Sequence, residues 1–342
     1  MDFSLDDEQQ ALVASFADLL SKRSSPAHVR QAEPTGFEPA LWRALGEVGV
    51  VEMAVPAERG GWGAGPIDLA LVAEQVGASA APAPVVEAQV AARLLASLDD
   101  PAASAALDAM LGGEQLVTMA VRPVVDGVAE LVPAGAVADA AVVLDGDRLR
   151  LVSLAASGAR CPVANLAAAP LADVTVGDAA PLASGPAALV AFEAALDDWL
   201  LLTGAALVGL AGRAHRTTCE YARERRTWNA PIGSYQGVAH PLADDATAVD
   251  GARLLVHEAA WELGRHGRRG RELAAMAFAF ASETARKATY DAVHFHGGVG
   301  FTLEADPQLY YRRARGWPRV WGAPQDAYGR AARARYHTSE AS

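Results

Sequence analysis

The sequence predicts a mainly α-helical protein with a small central β domain, and three observations carry that prediction. The chain of 342 residues is dominated by Ala, with Leu, Arg, Asp and Glu, mostly residues that lose little on entering a helix. Apolar residues recur at helical spacing in the first and last thirds. Between them lie short β-prone runs separated by Gly and Asp turn signals. At 51% hydrophobic residues the chain can bury a core in one large or several modest domains, which excludes a disordered protein.

Taken in order, Asp6 or Asp7 is placed to cap a first helix whose Leu12, Val13, Phe16, Leu19 and Leu20 share a face. A second helix is expected from about Glu38 to Val48. The segment from Val55 to Pro66 holds too many glycines and two prolines for a helix, so it is a shaped loop. A third helix follows Pro66 through Leu69, Leu71, Val72 and Val76. The runs Leu116 to Val121, Ala141 to Leu144 and Leu149 to Val152 read as strands, with Asp145-Gly146-Asp147 as a turn. Helical periodicity returns after Pro186, in long helices over about 188–227, 235–267, 270–296 and 325–336 and a short one near 306–314. The expected domains are 1–112 (helical), 113–187 (β) and 188–342 (a helical bundle).

Charge and cysteines narrow the function. A formal charge of −12 argues against nucleic acid as a partner, because phosphate neutralisation needs a concentrated basic surface. The exceptions are local: Arg223, Arg225 and Arg226, the stretch from Arg265 to Arg271, and Arg312, Arg313 and Arg315 suit a single polyanionic small molecule. Cys161 and Cys219 form no pairing motif, as expected in a reducing compartment. The start, Met1-Asp2-Phe3-Ser4-Leu5-Asp6-Asp7-Glu8, is acidic where a signal peptide is basic. The longest apolar run, Trp199 to Ala211, is shorter than the roughly 20 residues of a membrane span. The expectation is a cytoplasmic protein.

Two segments carry candidate chemistry. The run from Asp291 to Phe301 closes a long helix and contains Gly297, Gly298 and Gly300. Paired glycines let backbone amides approach a phosphate, and equally they serve as an ordinary helix stop. It is not a dinucleotide fingerprint, which follows a strand and opens a helix. His294 and His296, two apart on a helix, point away from each other, so no metal site is expected. The second segment, Arg223 to Gln236, ends a helix with arginines and turns through Pro231-Ile232-Gly233. Guanidinium forks suit pyrophosphate oxygens, and they also complement a helix C-terminus.

In combination these pieces resemble the acyl-CoA dehydrogenase family over nearly the whole chain. The loop Pro56-Ala57-Glu58-Arg59-Gly60-Gly61-Trp62-Gly63 before a helix containing Ala73-Glu74-Gln75-Val76-Gly77 is similar to the family's N-terminal domain. Four segments are similar to its C-terminal bundle: Arg225-Arg226-Thr227-Trp228, Pro231 to Gln236, His296 to Phe301, and Tyr311-Arg312-Arg313-Ala314. The resemblance implies an N-terminal helical domain, a β-barrel-like middle domain, a C-terminal four-helix bundle, and FAD held at a subunit interface. It further implies α,β-desaturation of an acyl-CoA thioester, with a glutamate removing the α proton and hydride passing to the flavin. Residue by residue, Arg225 and Thr227 match the pyrophosphate-binding pair, Trp228 its neighbouring aromatic, Gln236 the following glutamine, and Gly297 and Gly298 the paired glycines. His294 stands where the family usually has glutamine.

The catalytic half departs from the family. Where the base commonly lies, the chain reads Val320-Trp321-Gly322-Ala323-Pro324, without an acid. Where a second arrangement puts it, Trp199 stands, and Asp198, one residue away and short, is the weak catalytic candidate. The family's flavin-ring and thioester segments are replaced by Val117 to Pro123 or find no counterpart. The resemblance therefore implies the non-catalytic member of an α2β2 assembly, a type known for bulky steroid-like side-chain CoA esters. The partner subunit would supply the glutamate. A homodimeric flavoenzyme with a displaced base and a flavin-free scaffold are the alternatives.

Overall fold

The computed structural model describes residues 4–336, so Met1, Asp2 and Phe3 of the acidic start lie outside the described residues. Helix α1 (Asp7–Arg23) is capped by Asp6, which accepts from the Gln9 amide while the Gln9 side chain accepts from the Asp6 amide. After α2 (Pro26–Ala32), α3 (Pro39–Glu47) starts at Glu38, whose carboxylate accepts from the Ala40 amide. The expected loop contains a 3-10 turn, Ala57–Arg59, stopped by Gly60 at φ +88°, where a side chain would be strained. Helix α4 (Pro66–Ala78) begins on Pro66 itself.

Two helices that the sequence reading leaves undrawn follow, α5 (Val85–Ala96) and α6 (Pro101–Leu111). Ten of the twelve residues of α5 are buried, so it lacks the polar face that makes a helix visible as periodicity. The strands are β1 (Val117–Met119), β2 (Val128–Val132), β3 (Ala140–Asp145), β4 (Arg148–Ser153), β5 (Arg160–Pro162), β6 (Ala172–Thr175) and β7 (Pro181–Ser184). They form a four-stranded sheet, β1-β3-β4-β7, and a three-stranded sheet, β2-β6-β5. Only the β1–β3 pair is parallel. The predicted turn closes the β3–β4 hairpin, with Asp145 opposite Arg148 and Gly146 at φ +62°.

The C-terminal part holds α7 (Pro186–Glu224), a two-stranded hairpin of β8 (Arg226–Thr227) and β9 (Ala230–Pro231), α8 (Gln236–Gly264), α9 (Gly270–Phe295), α10 (Pro307–Gly316) and α11 (Pro324–Tyr336). These match the helices expected there to within a few residues. The apolar run in α7 continues into a stretch long and apolar enough to cross a membrane, but 89% of that stretch is buried within the fold. A helix covered in this way is a core helix of the bundle.

Packing divides the chain into two compact units that are not consecutive stretches of sequence. One contains Gln31–Leu69 and Pro82–Trp199, with both sheets, α3, α5 and α6. Its core includes Leu41, Leu45, Leu95, Leu107, Met119 and Leu149. The other contains the residues up to Arg30, Ala70–Ala81 and Leu200 onward. There α9 packs against α8, α10 and α11, with Phe278 fully buried. Most of α4 joins this second unit because its backbone meets that of α7 at two glycines. A Cβ on Gly77 would lie 1.8 Å from the Ala206 carbonyl oxygen, and one on Gly209 would lie 1.8 Å from that of Glu74.

Candidate functional site

The site is built where α7 ends and α8 begins. The Arg225 amide bonds to the Tyr221 carbonyl at 2.8 Å, and the Ile232 amide bonds back to the Arg225 carbonyl at 2.8 Å, so the hairpin folds against the helix it leaves. Its turn residues, Trp228 at φ +51° and Asn229 at φ +62°, are both left-handed, as a two-residue hairpin turn requires. Asparagine tolerates that conformation; for tryptophan it costs on the order of 1–3 kcal/mol, a strain typical of functional segments. The hairpin is pinned by the Tyr235 hydroxyl donating to the Thr227 carbonyl at 2.9 Å and by Arg226 donating to the Asn229 carbonyl at 3.1 Å. Gln236 then opens α8.

The Gly-Gly segment sits beside this corner. His296 caps α9 and its ring stacks on Tyr221 of α7, centroids 4.2 Å apart. Its Nδ1 lies 2.7 Å from the Ala292 carbonyl, which makes Nδ1 the protonated nitrogen, and burial lowers its pKa, keeping the ring neutral. Gly297 follows at φ +63°, and a Cβ on either Gly297 or Gly298 would meet nothing within 4 Å. Gly300 differs: its Cβ would fall 2.5 Å from the Val293 carbonyl oxygen, so it is a packing glycine. His294 is exposed and pairs with Tyr290 in a parallel stack 6.2 Å apart, away from His296. Among the described residues no group of three or more His, Cys, Asp or Glu is arranged to hold a metal.

Arg225, Thr227 and Gln236 are exposed, and among the described residues their side chains make no hydrogen bond or ion pair. Three polar side chains with uncommitted donors, next to an open glycine backbone, fit an oxyanion such as the pyrophosphate of a dinucleotide. Apolar side chains stand exposed in the same segments: Trp228 at 92%, Val299 at 62%, Phe301 at 77% and Leu303 at 70%. The sequence reading singled out Trp228 but missed Phe301 and Leu303 as a surface. Their only sequence signal is that they follow the glycines without a polar partner face.

The positions expected for a base carry no acid, and none of them is fully exposed. Val320 is 4% exposed and Trp321 packs edge-on against Phe278 at 5.7 Å. The next acid along the chain, Asp326, accepts from the Ala323 amide at 2.7 Å and so caps α11. Trp199 is 2% exposed. Asp198 accepts from Arg93 Nε at 2.8 Å, the two side chains being 16% and 28% exposed. A carboxylate oxygen held by a guanidinium in this way is already committed to a partner within the chain. Asp198→Asn is expected to change kcat/KM of the assembled enzyme by less than about twofold, within what loss of one part-buried ion pair explains. A fall of a hundredfold with cofactor still bound would restore Asp198 as a base.

Comparison with known proteins extends over the same ground. Residues 6–105 match the family model described as acyl-CoA dehydrogenase, N-terminal domain, and residues 190–323 match acyl-CoA dehydrogenase, C-terminal domain. The chain is 30% identical over 325 residues to acyl-CoA dehydrogenase IpdE2 of Mycolicibacterium smegmatis, covering 94% of this chain and 97% of that protein. Its fold is similar to a chain of the ChsE4-ChsE5 complex from Mycobacterium tuberculosis, with a TM-score of 0.89 and 26% identity over 97% of this chain and 98% of that one. It is also similar to a chain of the Tcur3481-Tcur3483 steroid ACAD, at a TM-score of 0.88 and 22% identity over 96% and 97% of the two, a likeness of fold.

Proposed function

Because the chain belongs to the acyl-CoA dehydrogenase family, we propose that it is one subunit of an FAD-dependent enzyme acting on an acyl-CoA thioester, and that a second, different subunit of the same family supplies the catalytic glutamate. In this reading Arg225 forks onto the pyrophosphate oxygens, Thr227 and Gln236 add hydrogen bonds, and Gly297 and Gly298 let the backbone approach. Trp228 covers the cofactor's edge. When bound, FAD supplies the two-electron acceptor for the hydride leaving the acyl chain. This chain's own contribution is to bind, orient and exclude water, since no carboxylate of its own is free at either base position.

The observation that carries the reading is the contrast between the two half-sites. The donors of the pyrophosphate corner are uncommitted, whereas the stretch Val320 to Pro324 carries no acid, Trp199 is buried, and Asp198 is tied to Arg93. The exposed Trp228, Val299, Phe301 and Leu303 support a covering subunit, since large apolar side chains grouped at a surface mark association sites. The solved ChsE4-ChsE5 neighbour, a complex of two differently named chains, supports a partner of the same family. Both cysteines are free, which supports a reducing, cytoplasmic setting.

Co-expression with a candidate partner subunit, purification on a tag carried by this chain, and measurement of FAD per polypeptide test the proposal. The expected result is one FAD per heterodimer and none on this chain alone. Full FAD occupancy of this chain by itself would overturn the division of labour and favour a homodimeric flavoenzyme.

A further inference from the structure

Behind the corner that carries Arg225, Gln236 and Gly297, the helices α7, α8 and α9 hold a second charged group that the proposed function does not use. Lys287 Nζ on α9 donates to Asp245 Oδ1 on α8 and to Asp291 Oδ2 on α9, each at 2.7 Å. Asp245 is 1% exposed, and its Oδ2 is buried without a hydrogen-bond partner. Asp291 is held by the same Nζ, so its negative charge acts on Asp245 as well. On α7, burial raises the Cys219 thiol, Arg223 opposes that and the charges of Asp245 and Glu220 add to it, and His215 Nε2 lies 3.5 Å from its sulfur. Two carboxylates thus share one ammonium, whose side chain is half exposed, leaving a net charge of one negative on the group and, at its buried end, an acceptor oxygen with no donor.

One proton removes both defects. Placed between the two carboxyl groups, it replaces like-charge repulsion by a hydrogen bond and brings Asp245, Asp291 and Lys287 to zero net charge. We propose that Asp245 and Asp291, bracketed by Lys287, form a built-in proton-binding site, in which uptake of one proton tightens α8 against α9 and so steadies the helix ends that carry Gln236 and the Gly297-Gly298 pair. Asp291 lies about one turn before the end of α9, and Asp245 lies between about two and three turns into α8. Asp245 and Lys287 are therefore positioning residues. The second half of the inference rests on the pyrophosphate reading of the corner; the first does not.

Titration agrees with the geometry. Burial, opposed by the Lys287 hydrogen bond and reinforced by the charge of Asp291, lifts Asp245 to about 6. Burial works against the charge of Lys287, yet its bonds to the two aspartates hold it above its ordinary value. A carboxyl raised on folding contributes stability that is complete below its unfolded value near 3.8 and is lost as pH rises through about 6. At tenfold per unit, the loss is at most roughly 100-fold in the folding constant.

The test is thermal unfolding and FAD retention of the full chain, with its partner, from pH 5 to 8, for wild type, Asp245→Asn and Lys287→Met. His215, His257 and His296, lowered by burial, give the opposite slope, and Glu87, lifted to about 7 by burial, gives the same one. Both contributions cancel in the difference between wild type and variant. Asp245→Asn imitates the protonated acid. It is expected to be roughly tenfold more stable than wild type at pH 5 and up to roughly 100-fold more stable at pH 8, and to lose the decline in FAD retention between them. Parallel curves for the two proteins would overturn the proton site. Should Asp245→Asn fail to fold, Lys287→Met decides: a deficit at pH 8 that acid relieves supports the site, and a deficit independent of pH overturns it. Diverging stability curves with FAD retained equally at every pH would overturn the link to the corner. Diverging stability curves with FAD bound by no form would instead remove the pyrophosphate reading and leave the proton site standing.

Discussion

Gly209→Val is expected to prevent α4 from seating on α7 and to lower the melting temperature by about 10 °C or more, or to abolish soluble expression. The Cβ position at Gly209 lies 1.8 Å from the Glu74 carbonyl oxygen and 2.8 Å from the Ala78 amide nitrogen, both backbone atoms that no rotamer change can move aside. Overpacking usually costs about 1–3 kcal/mol when side chains can shift. Here two helices must separate, so about 3 kcal/mol is a floor, and a folded unit has only about 5–15 kcal/mol in total. Gly46→Ala is the control. It lies in α3 with nothing within 4 Å of the added Cβ, so the change is expected to stabilise by about 0.5–1 kcal/mol through helix propensity alone. Thermal unfolding of both variants checks the pair. A loss below about 1 kcal/mol for Gly209→Val would mean that α4 and α7 do not cross at backbone contact.

Arg225→Ala is expected to weaken FAD binding by the assembled protein about 10- to 100-fold with little change in melting temperature of the apoprotein. The guanidinium is exposed and makes no hydrogen bond or ion pair within the chain among the described residues, so folding loses little when it goes. A hydrogen bond to a charged group contributes about 1.5–3 kcal/mol, which sets the fold-change. Arg225→Lys is expected to recover only part of the affinity, because an ammonium is a point charge without the two-pronged geometry. Titration of apoprotein with FAD at two salt concentrations measures both, the wild-type affinity falling with salt more steeply than that of Arg225→Ala. Equal affinity for wild type and Arg225→Ala would take Arg225 out of the cofactor site.

Much of this architecture could be read from residues in order. Asp6 caps the first helix where a short polar side chain precedes apolar periodicity. Asp145-Gly146-Asp147 turns a hairpin because glycine takes a positive φ without strain. The helix α5 escaped because nearly every residue in it is buried, so the signal that periodicity detects is missing. Strands β5, β6 and β7 escaped because three or four residues containing Pro and Ala carry too little β preference to stand out.

By itself the sequence determined the family and the order of helical, β and helical segments, and it supplied the residues proposed to hold a pyrophosphate, since each of these depends on local spacing and residue type. Only the tertiary structure decided which polar groups remain available. Asp198 is engaged because Arg93 of α5 reaches it across 105 positions of sequence, while Arg225 is left uncommitted. Lys287 and Asp291 are helical neighbours that spacing alone would pair, but Asp245 joins them from 42 positions away and turns an ion pair into a three-membered group with a buried carboxylate at its inner end. The physical reason is the same in each case. The charge state and availability of a carboxylate are set by its desolvation and by its nearest opposite charge, and both are supplied by whichever helix the fold packs against it.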